Sequence, residues 1–198
     1  MKNKRKLVQG VGINDAEYKV NQNGKRCPFY KVWQSMIDRC YSKRIHKLYP
    51  SYSDCTVCNE WLSFSNFRKW MVTQVWELKQ LDKDIIEPGN KIYCPEKCRF
   101  IDPQVNTFLT NVHKLKDNGL PVGVCFDGRM ATKKYRVSIG INGKIFKLGN
   151  YKTAEEAGTA YIKAKYDHIV SVAALQADHA VRDGLIMHAN ILIGKKEP

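Results

Sequence analysis

The sequence predicts an α+β protein built from two small modules, and three observations support this fold class. Aromatic residues recur at helical spacing in the first half of the chain, most clearly over residues 59–76. Apolar and polar residues alternate as in β-strands near Asn142 and Gly143. Basic residues concentrate in two segments, 1–50 and 113–152, which flank a near-neutral one. A chain of 198 residues is long enough for two such modules.

The first part of the chain is predicted to be a basic N-terminal arm, residues 1–28, followed by a module over residues 29–112. The arm is rich in Asn, Gly and Lys and lacks a periodic apolar pattern. Apolar spacing in the module predicts a helix over residues 29–41 and a second helical region over residues 59–76. Residues 42–55, rich in basic residues and tyrosine, would form a loop. The expected core residues of the two helices are Tyr30, Trp33, Ile37, Trp61, Phe64, Phe67, Trp70 and Met71.

The end of this module is predicted to contain two short strands, residues 80–86 and 91–93, joined by a Glu-Pro-Gly-Asn turn. A helix is predicted over residues 95–109. Pro95 suits the first turn of a helix, and Glu96 would lie near its positive end.

A change of pattern after residues 113–120, a predicted linker, marks a second domain over residues 121–170. Residues 135–141 alternate between apolar and polar side chains, as expected of a strand with one buried face. The Asn-Gly pair at 142–143 is the strongest short hairpin signal, because both turn positions need positive φ. A further strand is predicted over residues 144–148.

The predicted sheet is expected to pack against a helix that begins at a capping box, Thr153 to Glu156. Small residues on one side of that helix would allow it to lie close to the sheet. The remaining residues, 171–198, are predicted to form a helical C-terminal extension that is broken at Gly184.

The charge of the chain favours a polyanionic partner. It contains 33 Lys and Arg against 19 Asp and Glu, a net charge of +14 with a pI near 9.5. Residues 1–50 carry 12 basic and 3 acidic side chains, and residues 113–152 carry 9 and 2. Two separate surfaces are therefore expected to contact phosphates. Double-stranded DNA is the expected partner, with RNA or a host protein such as the transcription machinery as alternatives.

Other sequence features indicate a cytoplasmic protein that does not enter a membrane. No run of about 18 apolar residues is present, and no apolar signal core follows the basic N-terminus. The seven cysteines are therefore expected to be thiols or metal ligands rather than disulfides.

A set of motifs covers about a quarter of the chain within the C-terminal half. The motif residues are Gly123-Val124, Tyr135-Arg136, Leu148-Gly149-Asn150-Tyr151, Thr153, Glu155, Glu156, Ala157, Ala160 and Tyr161. This pattern resembles an AP2 domain. The resemblance implies a three-stranded antiparallel sheet packed on one helix, with the sheet entering the DNA major groove.

The residues themselves lead to the same expectation. A sheet covered by a helix on one side leaves its other face in water, and a twisted ribbon fits a groove about 12 Å wide. The alternative is an ordinary solvated sheet face. The predicted DNA-binding residues of this face are Arg129, Lys133, Lys134, Arg136 and Lys147.

A second set of motifs lies between Tyr30 and Leu109. In order, they read YKVWQSMIDRCY, CTVCNEWLSFSNFRKWM, LDKDI and GNKIYCPEKCRF. They resemble phage-encoded HNH-type proteins of the His-Me finger group, in which a hairpin and a helix hold one divalent metal. The resemblance implies Mg²⁺ or Mn²⁺, with Asp82 as a ligand, Asn90 steadying the loop and Arg99 or Lys83 holding phosphate.

The position of the general base is the weak point of this resemblance. Lys83 stands where the family has histidine, and a lysine with its ordinary pKa of about 10.4 is protonated and cannot accept a proton. Three hypotheses follow. The module is a degenerate DNA-binding platform; or it cuts DNA with Asp82, Asp84 and Mg²⁺, or with the distant His46; or Asp82 and Asp84 are ordinary capping or surface acids. The candidate catalytic residues are Asp82, Lys83 and Asp84.

The cysteines suggest a second metal hypothesis. Cys55 and Cys58 are spaced as a zinc half-site, and Cys94 and Cys98 form a looser pair. A structural Zn²⁺ bound by these four residues is one hypothesis. Buried thiols are the other, because free cysteine is among the most buried residue types.

Overall fold

The computed structural model describes residues 6–108 and 115–194. Its mixture of six helices and small sheets confirms the predicted α+β class. The chain divides into two compact units, Met1–Asp102 and Pro103–Pro198. Parts of four predicted segments lie outside the described residues, namely 1–5 of the arm, 109–112 of the module over residues 29–112, 113–114 of the linker and 195–198 of the C-terminal extension.

The N-terminal unit combines three helices with short strands. Its helices are α1 (Pro28–Tyr41), α2 (Lys43–Leu48) and α3 (Phe64–Met71). Its strands are β1 (Asn21–Gln22), β2 (Lys25–Arg26), β3 (Thr56–Val57), β4 (Gln80–Asp82), β5 (Ile92–Tyr93) and β6 (Arg99–Ile101). Short 3-10 helices span Pro50–Tyr52 and Asn59–Leu62.

The core of this unit is the aromatic stripe that the sequence predicts. Helices α1 and α3 pack together, and Trp33, Trp61, Phe64 and Phe67 are fully buried. The indole N–H of Trp33 donates to the carbonyl of Trp61 at 2.7 Å. The second predicted helical region is shorter than expected, because it is divided into a 3-10 helix and α3 at the turn after Leu62.

The described part of the N-terminal arm packs onto this core. Ala16 is buried, and the backbone N–H of Ile13 donates to the carbonyl of Leu62 at 2.8 Å. The carboxylate of Asp15 accepts from the backbone N–H of Ser65 at 2.8 Å, which caps the start of α3. The arm is thus held against the rest of the unit from residue 8 onward.

The strand pairing differs from the predicted hairpin between residues 80–86 and 91–93. Strand β4 pairs antiparallel with β6, whereas β5 pairs in parallel with β3. The predicted helix over residues 95–109 is also wrong for residues 95–102, whereas residues 103–108 are helical. The chain makes one turn, in which the N–H of Cys98 donates to the carbonyl of Cys94, and then forms β6. Pro103 disfavours a helical residue before it, so the helix α4 (Pro103–Phe108) begins only there.

The C-terminal unit contains the predicted three-stranded antiparallel sheet. Its strands are β7 (Val124–Phe126), β8 (Tyr135–Ile141) and β9 (Lys144–Tyr151), in the order β7-β8-β9. The β8–β9 turn has φ of 51° at Asn142 and 75° at Gly143, as the Asn-Gly signal predicts. Helix α5 (Ala154–Ala173) packs on the sheet, and α6 (His179–Leu192) packs on α5.

Helix α5 begins where the capping residues predict, with the N–H of Glu156 donating to the hydroxyl of Thr153 at 3.1 Å. The predicted break at Gly184 is wrong. Helix α6 continues through this glycine, which is buried, so its burial in the folded unit outweighs its low helix propensity. In the described part of the chain, none of the helices is long and apolar enough to cross a membrane.

Candidate functional site

The first candidate site is the face of the C-terminal sheet that points away from α5. Val137 and Ile139 of β8 are buried, and Val137 packs with Ala157 of α5. Because side chains alternate along a strand, Arg136 lies on the opposite face, where it is exposed. The close approach of helix and sheet depends on Gly123, since a Cβ built there would lie 2.0 Å from the ring of Tyr161.

Three of the predicted DNA-binding residues share this open face. Lys134 is two residues before Arg136, and its carbonyl accepts from the N–H of Asp127, which continues the β7–β8 pairing. Lys147 pairs with Ser138, which lies two residues after Arg136. Neither Lys134 nor Lys147 makes an ion pair with any residue that the structure describes.

The other two predicted residues of the sheet differ from these three. Arg129 lies in the loop after β7 and donates to both carboxylate oxygens of Asp127, at 2.9 and 2.8 Å. These hydrogen bonds lower the pKa of Asp127 to about 2. Asp127 also lies 4.0 Å from the guanidinium of Arg136. Lys133 is exposed and precedes β8. Asp127 therefore pairs with Arg129 and makes a weaker contact with Arg136.

Sequence reasoning missed two further residues of this face. Ile145 pairs with Gly140 and is 79% exposed, and Cys125 pairs with Arg136 and is also exposed. Ile145 is two residues before Lys147, so simple alternation would have found it. Alternation fails at Leu148, where the β8–β9 register shifts by one residue.

The second candidate site is the acidic stretch that follows β4. Asp82 is buried, and its Oδ1 accepts from the backbone N–H groups of Asp84 at 2.8 Å and Ile85 at 2.7 Å. Burial raises the pKa of Asp82, with a smaller contribution from the charge of Asp84. The carboxylate thus caps a turn, as an aspartate does in an Asx turn.

Lys83 is engaged by the protein itself. Its side chain is 5% exposed, and its ammonium lies 2.8 Å from both carboxylate oxygens of Asp84 and 2.6 Å from the carbonyl of Asn90. An ammonium in this position cannot accept a proton from water. The carboxylates of Asp82 and Asp84 also do not fit a divalent metal as they stand. The ammonium of Lys83 already neutralises Asp84, and two N–H groups donate to one oxygen of Asp82.

Asn90 connects the two ends of the loop between β4 and β5. Its side-chain amide donates to the carbonyls of Lys83 at 2.9 Å and Ile92 at 2.8 Å, and its carbonyl oxygen accepts from the N–H of Ile92. The ring of His46 donates to the carbonyl of Arg39 at 2.9 Å. Arg99 pairs with Asp82 across β4 and β6 and donates to the carbonyl of Cys98 at 2.8 Å.

The parallel pairing of β3 and β5 brings the two cysteine pairs together. The N–H of Cys58 donates to the carbonyl of Tyr93, next to Cys94. The four cysteines then separate into two environments. Burial raises the pKa of Cys98. A backbone hydrogen bond with Cys94 lowers it, and the charges of Cys94 and Cys58 make smaller upward contributions, whereas Cys55 lies near Cys40. Among the described residues, no group of three or more His, Cys, Asp or Glu side chains is arranged to hold a metal ion.

Comparison with known proteins adds no relative. No family model matches the chain, and no curated protein or solved structure matches it either.

Proposed function

We propose that this chain is a DNA-binding protein of the phage HNH/AP2 homing-endonuclease-like type, which contacts double-stranded DNA through the open face of its C-terminal sheet. The observation that carries the proposal is the position of Lys134, Arg136 and Lys147. They lie together on the face of the sheet opposite α5, within a chain of net charge +14. A twisted ribbon with such a face suits a major groove.

In this proposal the N-terminal module is a degenerate HNH-like platform. The antiparallel pairing of β4 with β6 and the loop contacts of Asn90 support the resemblance. The occupied ammonium of Lys83 and the turn-capping role of Asp82 favour a site without a general base.

Titration of duplex DNA with the full chain at several salt concentrations tests the sheet contact. Each lost phosphate contact reduces the slope of log K against log salt by about 0.9. The Lys134→Ala, Arg136→Ala, Lys147→Ala triple variant is expected to lose affinity and to have a slope smaller by about two to three. Lys144→Ala is the matched control, because Lys144 is an exposed lysine of β9 whose partner, Ile141, alternates to the other face.

The alternatives give different results in the same experiments. Unchanged duplex affinity and salt slope in the triple variant would overturn the proposal, and tighter binding to duplex RNA would replace DNA as the ligand. Incubation with supercoiled plasmid and Mg²⁺ or Mn²⁺ tests the endonuclease alternative. Cutting that disappears in Asp82→Ala would make the protein an enzyme; we expect none. Salt-resistant binding to a host protein would support the third alternative.

A further inference from the structure

A cavity of about 400 Å³ lies in the N-terminal unit, between α1 and the segment formed by α2 and the following 3-10 helix. It takes no part in the sheet contact or in the acidic stretch after β4. Pockets of about 300 to 1,000 Å³ hold small ligands in other proteins. The residues that line it are Arg26, Lys31, Gln34, Ser35, Asp38, Arg39, Ile45, Tyr49 and Tyr52.

The guanidinium of Arg39 forms the inner wall of this cavity, and its hydrogen-bonding capacity is not fully used. Arg39 donates to Leu81 and Tyr93 at 3.3 Å and to Ser35 at 3.5 Å, all long for a hydrogen bond to a charged donor. Among the described residues it forms no ion pair, and it lies over the ring of Tyr52 with 6.0 Å to the centroid. A guanidinium carries five N–H groups, so Arg39 can donate to a further oxygen or nitrogen atom of a ligand.

The rim of the cavity supplies an aromatic face and two more cations. Tyr49 is 57% exposed, and it meets Tyr52 edge-on with 6.4 Å between ring centroids. Lys31 is exposed and has no partner within the described chain, and Arg26 is held by Gln34 at 3.0 Å. The only acid in the lining, Asp38, uses one oxygen to accept from Gln9 at 2.7 Å. The lining is therefore cationic, with one carboxylate acceptor.

Helix α2 extends this basic surface beyond the cavity. Its basic residues Lys43, Arg44 and Lys47 are exposed, and none has an ion-pair partner in the described parts of the chain. They lie within six residues of Tyr49. Cations that follow a backbone next to an aromatic side chain are the features with which proteins hold unpaired nucleotides.

We propose that this cavity binds one unpaired nucleotide of a nucleic acid. The base stacks on Tyr49, its polar edge meets Arg39 and Asp38, and its phosphate contacts Lys31 and Arg26. The neighbouring phosphates of the strand contact the basic residues of α2. This site goes beyond the proposed sheet contact and does not depend on it.

NMR titration of the ¹⁵N-labelled full chain with 2′-deoxynucleoside 5′-monophosphates tests the proposal. Saturable shifts are expected around residues 26–52. Deoxyribose 5-phosphate and inorganic phosphate should bind more weakly, because they lack the base. Tyr49→Ala is expected to weaken nucleotide binding roughly 5- to 150-fold, the range for loss of one stacked base. Tyr49→Phe keeps the ring and should bind within about twofold of the wild type.

Charge variants locate the phosphate. Lys31→Ala should weaken binding of the nucleotide, whereas Lys69→Ala, an exposed lysine of α3 outside the cavity, should not. The sheet triple variant should bind the nucleotide as the wild type does, so failure of this site and failure of the sheet proposal are separable. Equal affinity for nucleotide and deoxyribose 5-phosphate, shifts confined to the sheet, or unchanged binding by Tyr49→Ala would each overturn the proposal.

Discussion

The two charged regions of this protein use cationic side chains in opposite ways. After β4, the ammonium of Lys83 is buried and bound by Asp84 and Asn90. On the C-terminal sheet, Lys134 and Lys147 face water and have no ion-pair partner in the described chain. Burial and local partners, rather than residue type, thus separate a cation that stabilises a loop from one that is available to a ligand.

The comparison also explains why we propose binding of DNA rather than its hydrolysis. The hydrogen bonds of the loop after β4 use the same groups that hydrolysis would need. On the open face of the sheet, Asp127 is the acid that pairs with a cation among the described residues.

The largest expected effect is a loss of folding stability when the packing of α5 against the sheet is disturbed. Gly123→Ala places a Cβ at a residue with φ of 80° and 2.0 Å from the Tyr161 ring. Left-handed strain of about 1 to 2 kcal/mol and overpacking of about 1 to 3 kcal/mol predict a loss of about 2 to 5 kcal/mol. Urea unfolding followed by far-UV circular dichroism measures it.

Gly140→Ala is the matched control in the same sheet. No atom lies within 4 Å of a Cβ at Gly140, and no positive φ is required there. We expect unchanged or slightly higher stability, by up to about 1 kcal/mol, because glycine is unfavourable within a strand. Equal losses in both variants would contradict the role assigned to Gly123.

The second prediction concerns the ion pair of Lys83 and Asp84 next to the buried Asp82. Lys83→Ala removes the ammonium that pairs with Asp84 and leaves Asp82 buried nearby. Loss of one member of a buried pair costs about 3 to 5 kcal/mol, and we expect about 2 to 4 because the Asp84 side chain is 33% exposed. Tryptophan fluorescence during urea unfolding reports this change, since all four tryptophans lie within the N-terminal unit.

Lys91→Ala is the control for this prediction, because the Lys91–Asp54 pair is exposed at both ends. It should change the free energy of unfolding by no more than about 0.5 kcal/mol. If Lys83→Ala were equally mild, the ion pair would not be a structural element and its ammonium would be open to other roles.

Periodic patterns made much of this structure predictable. The stripe of α1, the aromatic core and the Asn142–Gly143 hairpin all follow from local spacing, and so does the shared face of Lys134, Arg136 and Lys147. The parallel β3–β5 pair was not predictable, because strands of two residues have no period and their partners are 36 residues apart.

The misplaced helix has a related physical cause. Pro95 and Glu96 are typical of a helix start, but the turn that they form closes after Cys98, and Phe100 is then buried against Leu81 in a strand pair. Tertiary burial outweighs the local signal there. The hydrogen bond from the ammonium of Lys83 to the carbonyl of Asn90 joins residues seven positions apart, and sequence spacing alone does not predict this contact.

A smaller effect concerns the protonation of Asp82. Burial raises its folded-state pKa above the unfolded value of about 3.9, so the folded protein takes up this proton first as the pH falls. Asp82 therefore contributes more stability as the pH is lowered from 7 towards about 4. Asp82→Asn keeps an oxygen for the two N–H bonds and should stay within about 1 kcal/mol of the wild type at pH 7.

Urea unfolding at several pH values measures this difference. The stability of the wild type minus that of Asp82→Asn is expected to increase on acidification. A difference that stays constant or decreases would mean that Asp82 is not penalised by burial, and an ionised carboxylate available to a metal would then become the better description.

The smallest expected effect converts a paired cation of the sheet unit into a free one. Asp127→Asn removes the carboxylate that holds Arg129 and lies 4.0 Å from Arg136. If unpaired cations are what the duplex meets, the variant should bind DNA more tightly at low salt. The slope of log K against log salt should steepen by about one phosphate contact, 0.9.

Asp167→Asn, which frees Lys163 on the exposed side of α5, is the matched control and should leave both quantities unchanged. Equal gains in the two variants would mean that DNA responds to overall charge, and the sheet would lose its distinction from the rest of the basic surface.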